Sequence, residues 1–483
     1  LPMPTGEIQG FLAYRAGQNF LFYLDRTFGP GTVRKIVQRT LRDRDFERAL
    51  LSVTRVGLRD LGEEWIRELR WAYWPELGKR EHGSKAGRKL TKAGEDGSYW
   101  NMQAALSPDG SRVAWFSDRG TRQGLYVGEL EQLPRKEPRR LHQGGGTPSH
   151  ESFSPFRSGL GWSPDGKRLV VAAQSGGRNV LSILDVRKGS VVRTVDPKLD
   201  ALSNPEWSPD GKRLVFRGLL AGQADLWSWN LESDSLSRLT DDLPDDDKPT
   251  FSPSGRYLAW SSESDGMGIG ARRSIWLLDL RDGSRRMVSS STGDETDPSF
   301  GGATDDSARL AFLSDRSGIP QVYVAERPFD ASPGVRPLTN LLAGVQCPKL
   351  SKDGNRLVLS LFEGGSFDVY DVDATRRLPD SVLAPTRFVQ TSAAGAPELF
   401  RPLVRENMES FRFDTLDLAD SAKRAKDSLD RARRDSLKSA ATPPGSSDDA
   451  GSSRLFGFER DEDASRRPPP RRPARDSAAS DTL

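Results

Sequence analysis

Three histidines, one cysteine and a run of aspartates are the side chains here whose types could do chemistry. A zinc site needs two imidazoles one helical turn apart with a carboxylate beside them, as in His-Glu-x-x-His. His82, His142 and His150 do not make that spacing, and His150-Glu151 is followed by Ser-Phe-Ser. Cys347 is the sole cysteine, so no internal disulfide forms. Its place just before a strand reads as a small buried hydrophobe. Asp241-Asp242 and Asp245-Asp246-Asp247 lack the alternating ligands and glycine of a calcium loop, and read as an exposed connection. Neither the Gly-x-Ser-x-Gly of serine hydrolases nor the Gly-x4-Gly-Lys-Ser/Thr phosphate loop occurs. The expectation is a chain with no catalytic residue, no cofactor and no metal of its own.

The elements that would position any site are set by a repeat. Leu106-Ser-Pro-Asp-Gly110 returns as Trp162-Ser-Pro-Asp-Gly166 and Trp207-Ser-Pro-Asp-Gly211. It returns again as Phe251-Ser-Pro-Ser-Gly255 and Leu350-Ser-Lys-Asp-Gly354, with a disguised copy at Phe300. Starts at 162, 207, 251, 300 and 350 are spaced by 45, 44, 49 and 50 residues. A period in the forties fits a four-stranded propeller blade. In each copy an apolar residue and Ser-Pro end a first strand, and a tight turn follows. Asp109-Gly110, Asp165-Gly166, Asp210-Gly211, Gly255 and Asp353-Gly354 are its structural residues. Gly accepts positive φ there and Asp bonds its own backbone. Alternating runs such as Arg112 to Phe116 and Arg168 to Ala172 give the second strand. Leu226-Trp-Ser-Trp229 and Gln321-Val-Tyr-Val324 exemplify the third, and Arg238-Leu-Thr240 the fourth.

There are six copies of strands one to three but only five clear fourth strands after them. Arg88-Lys-Leu-Thr91 carries the fourth-strand signature ahead of the first copy. An N-terminal strand completing the last blade closes the ring and removes two open sheet edges. The alternative is that Arg376-Arg-Leu378 supplies that strand locally. Trp115, Trp162, Trp207, Trp260 and Trp276 fall on strand positions and are expected between blades.

This grammar resembles the TolB-type propeller repeat, over residues 88–378. Its Ser-Pro-Asp-Gly turns, the Ser-Asp-Arg loops at Ser117 to Arg119 and Ser314 to Arg316, and the Arg-x-Leu-Thr fourth strand carry the resemblance together. It implies a mainly β chain built on a six-bladed propeller. It also implies a periplasmic or cell-envelope location and a role in docking envelope proteins or peptides.

Residues 1–80 read as an α-helical segment. Phe11, Tyr14, Phe20, Leu21, Leu24 and Phe28 follow helical spacing, and Gly29-Pro-Gly31 breaks the run. Val33, Ile36, Val37 and Leu41 mark a second helix, and Phe46, Ala49, Leu50 and Val53 a third. Asp60 with Glu63 reads as a capping box before a fourth, which ends near Trp74-Pro75. Through Ala13 to Gly17, Phe22 to Leu24, Phe28-Gly29 and Gly57 to Trp65, the segment resembles the C-terminal part of a gluzincin-type "peptidase MA-like" domain. The zinc-binding half of that family would lie upstream, so no catalytic residue carries over. A small helical cap on the propeller is the other reading.

Residues 379–441 read as a linker with a highly charged stretch, and 442–483 as a disordered tail with Arg466-Arg-Pro-Pro-Pro-Arg-Arg-Pro473. The chain begins with Leu1 and no signal segment, which reads as a processed or truncated piece of a longer polypeptide. A net charge of +3 implies no general attraction to nucleic acid, and no apolar stretch approaches a membrane helix. Resemblance alone implies that a downstream outer-membrane barrel can follow such a linker.

The function expected from this pattern is recognition: a scaffold for an envelope protein or peptide. Trp100, His150, Met267, Arg272 and Arg273 are the candidate contacts. His150, Met267, Arg272 and Arg273 lie in loops that depart from the repeat, at 144–156 and 266–273, and a third such loop is 301–307. The alternative is the propeller-bearing part of a zinc metallopeptidase.

Overall fold

The computed structural model describes residues 7–120, 123–144, 150–153, 158–265, 271–289, 291–378 and 385–386. Six antiparallel sheets form six blades. Blade 1 runs Asn101–Leu106, Arg112–Ser117, Gly124–Glu129 and Arg139–Gln143. Blade 2 has its inner strand in two pieces, Ser152–Phe153 and Leu160–Trp162, followed by Arg168–Ser175, Arg178–Asp185 and Val191–Val195. Blade 3 comprises Ala201–Trp207, Arg213–Leu220, Gln223–Asn230 and Ser235–Arg238. Blade 4 comprises Asp246–Phe251, Tyr257–Asp265, Arg272–Asp279 and Arg285–Ser289. Blade 5 comprises Glu295–Gly301, Arg309–Ser314, Gln321–Glu326 and Gly334–Pro337. Blade 6 contributes Val345–Leu350, Arg356–Glu363 and Ser366–Asp373.

The fourth strand of blade 6 comes from the other end of the domain. Gly87–Lys89 pairs antiparallel with Ser366–Asp373, in the register Gly87↔Val372, Arg88↔Asp371 and Lys89↔Tyr370. Leu90 N–H extends the pairing to the Val369 carbonyl at 2.8 Å. Arg376, the alternative source of a closing strand, instead reaches Glu81 at 2.8 Å and the Ala86 carbonyl at 3.2 Å with its guanidinium. The closure read from the sequence is the one observed.

The repeated turns hold each first hairpin by the same bonds. In the first, Ser107 Oγ accepts from Arg112 N–H at 2.9 Å, while Asp109 Oδ1 accepts from Ser111 N–H at 3.1 Å. Gly110 lies at φ 71°, where an L side chain is strained. Neighbouring turns are tied together, since Arg112 Nη2 donates to the Gly166 carbonyl at 2.9 Å and Arg309 Nη1 to that of Gly354 at 2.6 Å. Trp115, Trp162, Trp207 and Trp260 are buried as expected, and Trp276 is partly buried.

The helical segment has its own core. Helices α1 (Glu7–Phe28), α2 (Thr32–Asp43), α3 (Phe46–Thr54) and α4 (Leu58–Leu77) bury Tyr23, Leu24, Ile36, Ala49, Leu50 and Leu61 together. Two details differ from the sequence reading. The α4 N-cap is Gly57, so Asp60 lies inside the first turn and forms no capping box. Glu63 instead meets Arg59 at 3.2 Å. The helix also continues through Pro75 to Leu77, because a proline this close to the end removes only one helical N–H. The segment is fastened to the connection between blades 5 and 6: Glu81 N–H donates to the Asn340 carbonyl at 2.9 Å, and Asn340 Nδ2 to that of Lys79 at 2.9 Å.

The expected linker 379–441 and tail 442–483 lie outside the described residues, save 385–386. There Thr386 N–H donates to the Ser317 carbonyl at 2.9 Å.

Candidate functional site

The six inner strands face one narrow channel. It is lined by Gln103, Gly159, Asn204, Glu206, Lys248, Asp297, Cys347 and Lys349. One residue of each blade reaches the same level: Gln103, Gly159, Asn204, Lys248, Asp297 and Cys347. Five of these are non-glycine residues with φ between 52° and 57°. That is the left-handed region, which costs an L residue of order 1 kcal/mol. In each of these five strands the register shifts across that residue and the next, a β-bulge. In four of them the next residue is proline: Pro205, Pro249, Pro298 and Pro348. Proline has no N–H to offer a ladder and fits a bulge. Gly159 is the exception, and its N–H donates to Asn204 Oδ1 at 2.8 Å.

The lining is charged and paired. Lys248 Nζ donates to Asp297 Oδ1 and Lys349 Nζ meets Glu206 at 3.3 Å. Glu206 Oε1 also accepts from Thr250 Oγ1 at 2.9 Å and Phe251 N–H at 3.0 Å. Asn204 Nδ2 donates to Asp247 Oδ1 at 2.7 Å. Burial would lower the Lys248 ammonium, but the carboxylates of Asp297 and Asp247 raise it above the ordinary lysine value, so it is charged. Burial pushes the Cys347 thiol up to about 12, with Asp297 acting in the same direction. Cys347 is thus a buried, protonated thiol as expected, but it sits within a strand and lines the channel. Nothing in this ring is a nucleophile poised with a base. What it offers is charge and hydrogen-bonding groups around the channel between the six blades.

The expected contact residues fare unevenly. Trp100 is 2 % exposed and packs in the core shared by blades 1 and 2, so a partner-contact role does not fit it. Its N–H and that of Tyr99 donate to Asp118. His150 is 1 % exposed and is likewise no surface contact. Arg272 is exposed and donates to the Thr292 carbonyl at 3.2 Å. Arg273 is half-buried and donates to the Asp245 carbonyl at 3.1 Å. Met267 lies outside the described residues, as do parts of the 144–156 and 266–273 loops. The 301–307 loop is a structural tie: Asp305 accepts from Ser254 N–H at 3.1 Å, joining the turns of blades 5 and 4.

The histidines, distant in the reading of zinc spacing, are partly brought together. His150 Nδ1 lies 2.9 Å from His142 Nε2, and His150 Nε2 lies 2.7 Å from Ser182 Oγ. His142 Nδ1 lies 2.9 Å from the Gly189 carbonyl. One proton per gap satisfies this relay with both rings neutral. His150 is held at about 4, by burial first and by His142 second. Its folded value is therefore depressed below the unfolded ~6.5. The unfolded state takes up a proton first as pH falls, so the stabilisation is complete above pH ~6.5 and is lost between ~6.5 and ~4, up to ~3 kcal/mol. The turn aspartates Asp109, Asp165 and Asp353 are held low, chiefly by their serine partners, and their stabilisation is lost only at more acid pH. Denaturant melts of wild type and His150→Gln between pH 7 and 4 should show a steeper loss of stability across that window in wild type. Parallel curves for the two would remove His150 as its cause.

Comparison with known proteins bears on the propeller. The family described as the TolB beta propeller domain (PD40) matches residues 159–269 and 248–398. A structure assigned as TolB from Agrobacterium tumefaciens is 20% identical, with 56% of this chain and 90% of that one covered, at a TM-score of 0.42. TolB from Acinetobacter baumannii is 19% identical, with 57% and 63% covered and a TM-score of 0.38. The β-propeller domain of the Trilobed protease from Pyrococcus furiosus is 12% identical, with 58% and 81% covered and a TM-score of 0.39. Among curated proteins no match is found.

Proposed function

The six blades form a TolB-type β-propeller, and from that premise we propose that the chain is a protein- or peptide-binding scaffold of the bacterial cell envelope. The observation that carries this is the channel. Five residues held in strained backbone ring its axis, and strain of this kind is retained where the surrounding structure uses it. The ring presents Lys349 paired with Glu206 and Lys248 paired with Asp297. Such exchangeable ion pairs suit the charged terminus or side chains of an extended peptide. The envelope part of the proposal is supported by the family resemblance to TolB propellers.

Lys349 is 30% exposed and is the accessible member of the ring to test. Neutralising it, Lys349→Gln, should leave the melting temperature within a few degrees of wild type. It should also weaken capture of a discrete envelope protein from a detergent extract at least tenfold. Equal capture by the two proteins would move the binding role away from the channel.

The second reading is that residues 1–80 are the C-terminal helical part of a zinc metallopeptidase. One observation favours it. The helical segment leaves Tyr14, Leu41, Trp71 and Trp74 exposed at 83%, 75%, 78% and 66%, more apolar surface than a simple cap requires. A His-Glu-x-x-His motif encoded upstream of Leu1 is the check on it.

A further inference from the structure

The junction of blades 3 and 4 brings together three carboxylates, Asp225 of the third strand of blade 3, Asp242 of the connection and Asp246 at the start of blade 4, with ligand oxygens all within 4.8 Å of one another. Asp225 and Asp246 are 0% and 1% exposed, whereas Asp242 faces solvent. Each commits one oxygen to a protein donor. Asp225 Oδ2 accepts from Arg238 Nε at 3.1 Å, Asp242 Oδ2 from Arg285 Nη1 at 2.7 Å, and Asp246 Oδ1 from Trp260 Nε1 at 2.8 Å. The second oxygen of Asp246 is buried and has no hydrogen-bond partner. The second oxygen of Asp225 has the Thr240 hydroxyl at 3.5 Å, beyond a good hydrogen bond, and the carboxylate also takes a backbone N–H bond from Asp242. An unpartnered buried carboxylate oxygen is costly, and an ion, a water or a proton that meets it relieves the cost.

The same place in another blade shows what the fold alone needs. At the junction of blades 6 and 1, Trp115 Nε1 donates to Asn101 Oδ1 at 3.1 Å, as Trp260 donates to Asp246. The residue there is a neutral amide, and its Nδ2 donates to Ser98 Oγ at 3.0 Å. The adjoining third-strand carboxylate, Asp368, is met by Lys89 at 2.7 Å and Thr91 at 2.6 Å. An amide thus does the structural work at that junction, and the adjoining carboxylate has a lysine and a threonine beside it. At the blade 3–4 junction a carboxylate replaces it and faces two more. Two guanidiniums against three carboxylates leave one negative charge uncompensated.

We propose that Asp225, Asp242 and Asp246 bind a hard, oxygen-preferring divalent cation of the calcium class, which locks blade 3 to blade 4. Three converging carboxylates beside a threonine hydroxyl are the donor set such an ion takes. The rival occupant is a proton shared among the carboxylates, which would leave the site indifferent to metal.

Thermal melting of the whole chain, stripped with chelator and then titrated with calcium chloride up to ~1 mM, tests this. Wild type should gain several degrees and should bind one calcium ion per chain by calorimetry. Asp246→Asn should fold, because Asn101 already fills the equivalent place, and should lose both the shift and the heat. Identical melting of wild type with and without calcium would overturn the proposal and leave the proton as occupant. So would an undiminished calcium response in Asp246→Asn.

Discussion

Deleting residues 1–91 should lower the melting temperature of the propeller sharply and make it prone to association. The deletion removes the outer strand of blade 6 and bares the edge of Ser366–Asp373, whose unpaired N–H and carbonyl groups template pairing with another chain. It also takes Leu90 out of a core in which it packs with Trp115, Val358 and Val369. A gentler variant separates closure from the helices. A Cβ on Gly87 would lie 2.4 Å from the Asp371 carbonyl oxygen and 2.8 Å from Val372, so Gly87→Val pushes the closing strand off its partner while keeping residues 1–86. Calorimetry of both variants is the check. Unchanged melting in both would mean that the ring closes without this strand.

Trp115→Ala should be the most damaging single truncation in the propeller. Trp115 is 2% exposed and joins residues of blades 1 and 6 with Leu90 of the closing strand. Removing a buried aromatic of this size costs ~3–5 kcal/mol. It also leaves Asn101 Oδ1 without its indole donor at 3.1 Å. Because Leu90 shares the cluster, Trp115→Ala and Gly87→Val should be less than additive. Urea melts of the two single variants and the double variant measure this. Strict additivity would show that the closing strand and the Trp115 core are separate units.

The blades were legible in the sequence because their signals are local. Ser-Pro-Asp-Gly fixes a turn by its own hydrogen bonds, and alternation fixes the strands beside it. Closure was legible by elimination, since Arg88-Lys-Leu-Thr91 matched a place that the last repeat left open. The channel was not, because its marker is conformational: an L residue in left-handed backbone at a bulge. A trace of it was present in Asn204-Pro205, Lys248-Pro249, Asp297-Pro298 and Cys347-Pro348, each pair just before the strand-ending apolar residue. Read as a column, these pairs name the lining. Trp100 and His150 were misplaced as contacts because a residue beside a loop can still point into a blade junction, and composition does not tell which way. Asp246 was read as exposed for a related reason. An acid-rich run looks solvated until one member proves to be the first residue of an inner strand.

The central claim is that the channel is where a partner binds. A photo-crosslinking side chain placed at Lys349, at the channel lining, and another placed at Lys188, on a remote outer-strand turn, test it most directly in intact cells. The account predicts a discrete, light-dependent adduct with an envelope protein or peptide from position 349 and none from position 188. Adducts of equal yield from both positions, or none from position 349, would contradict it.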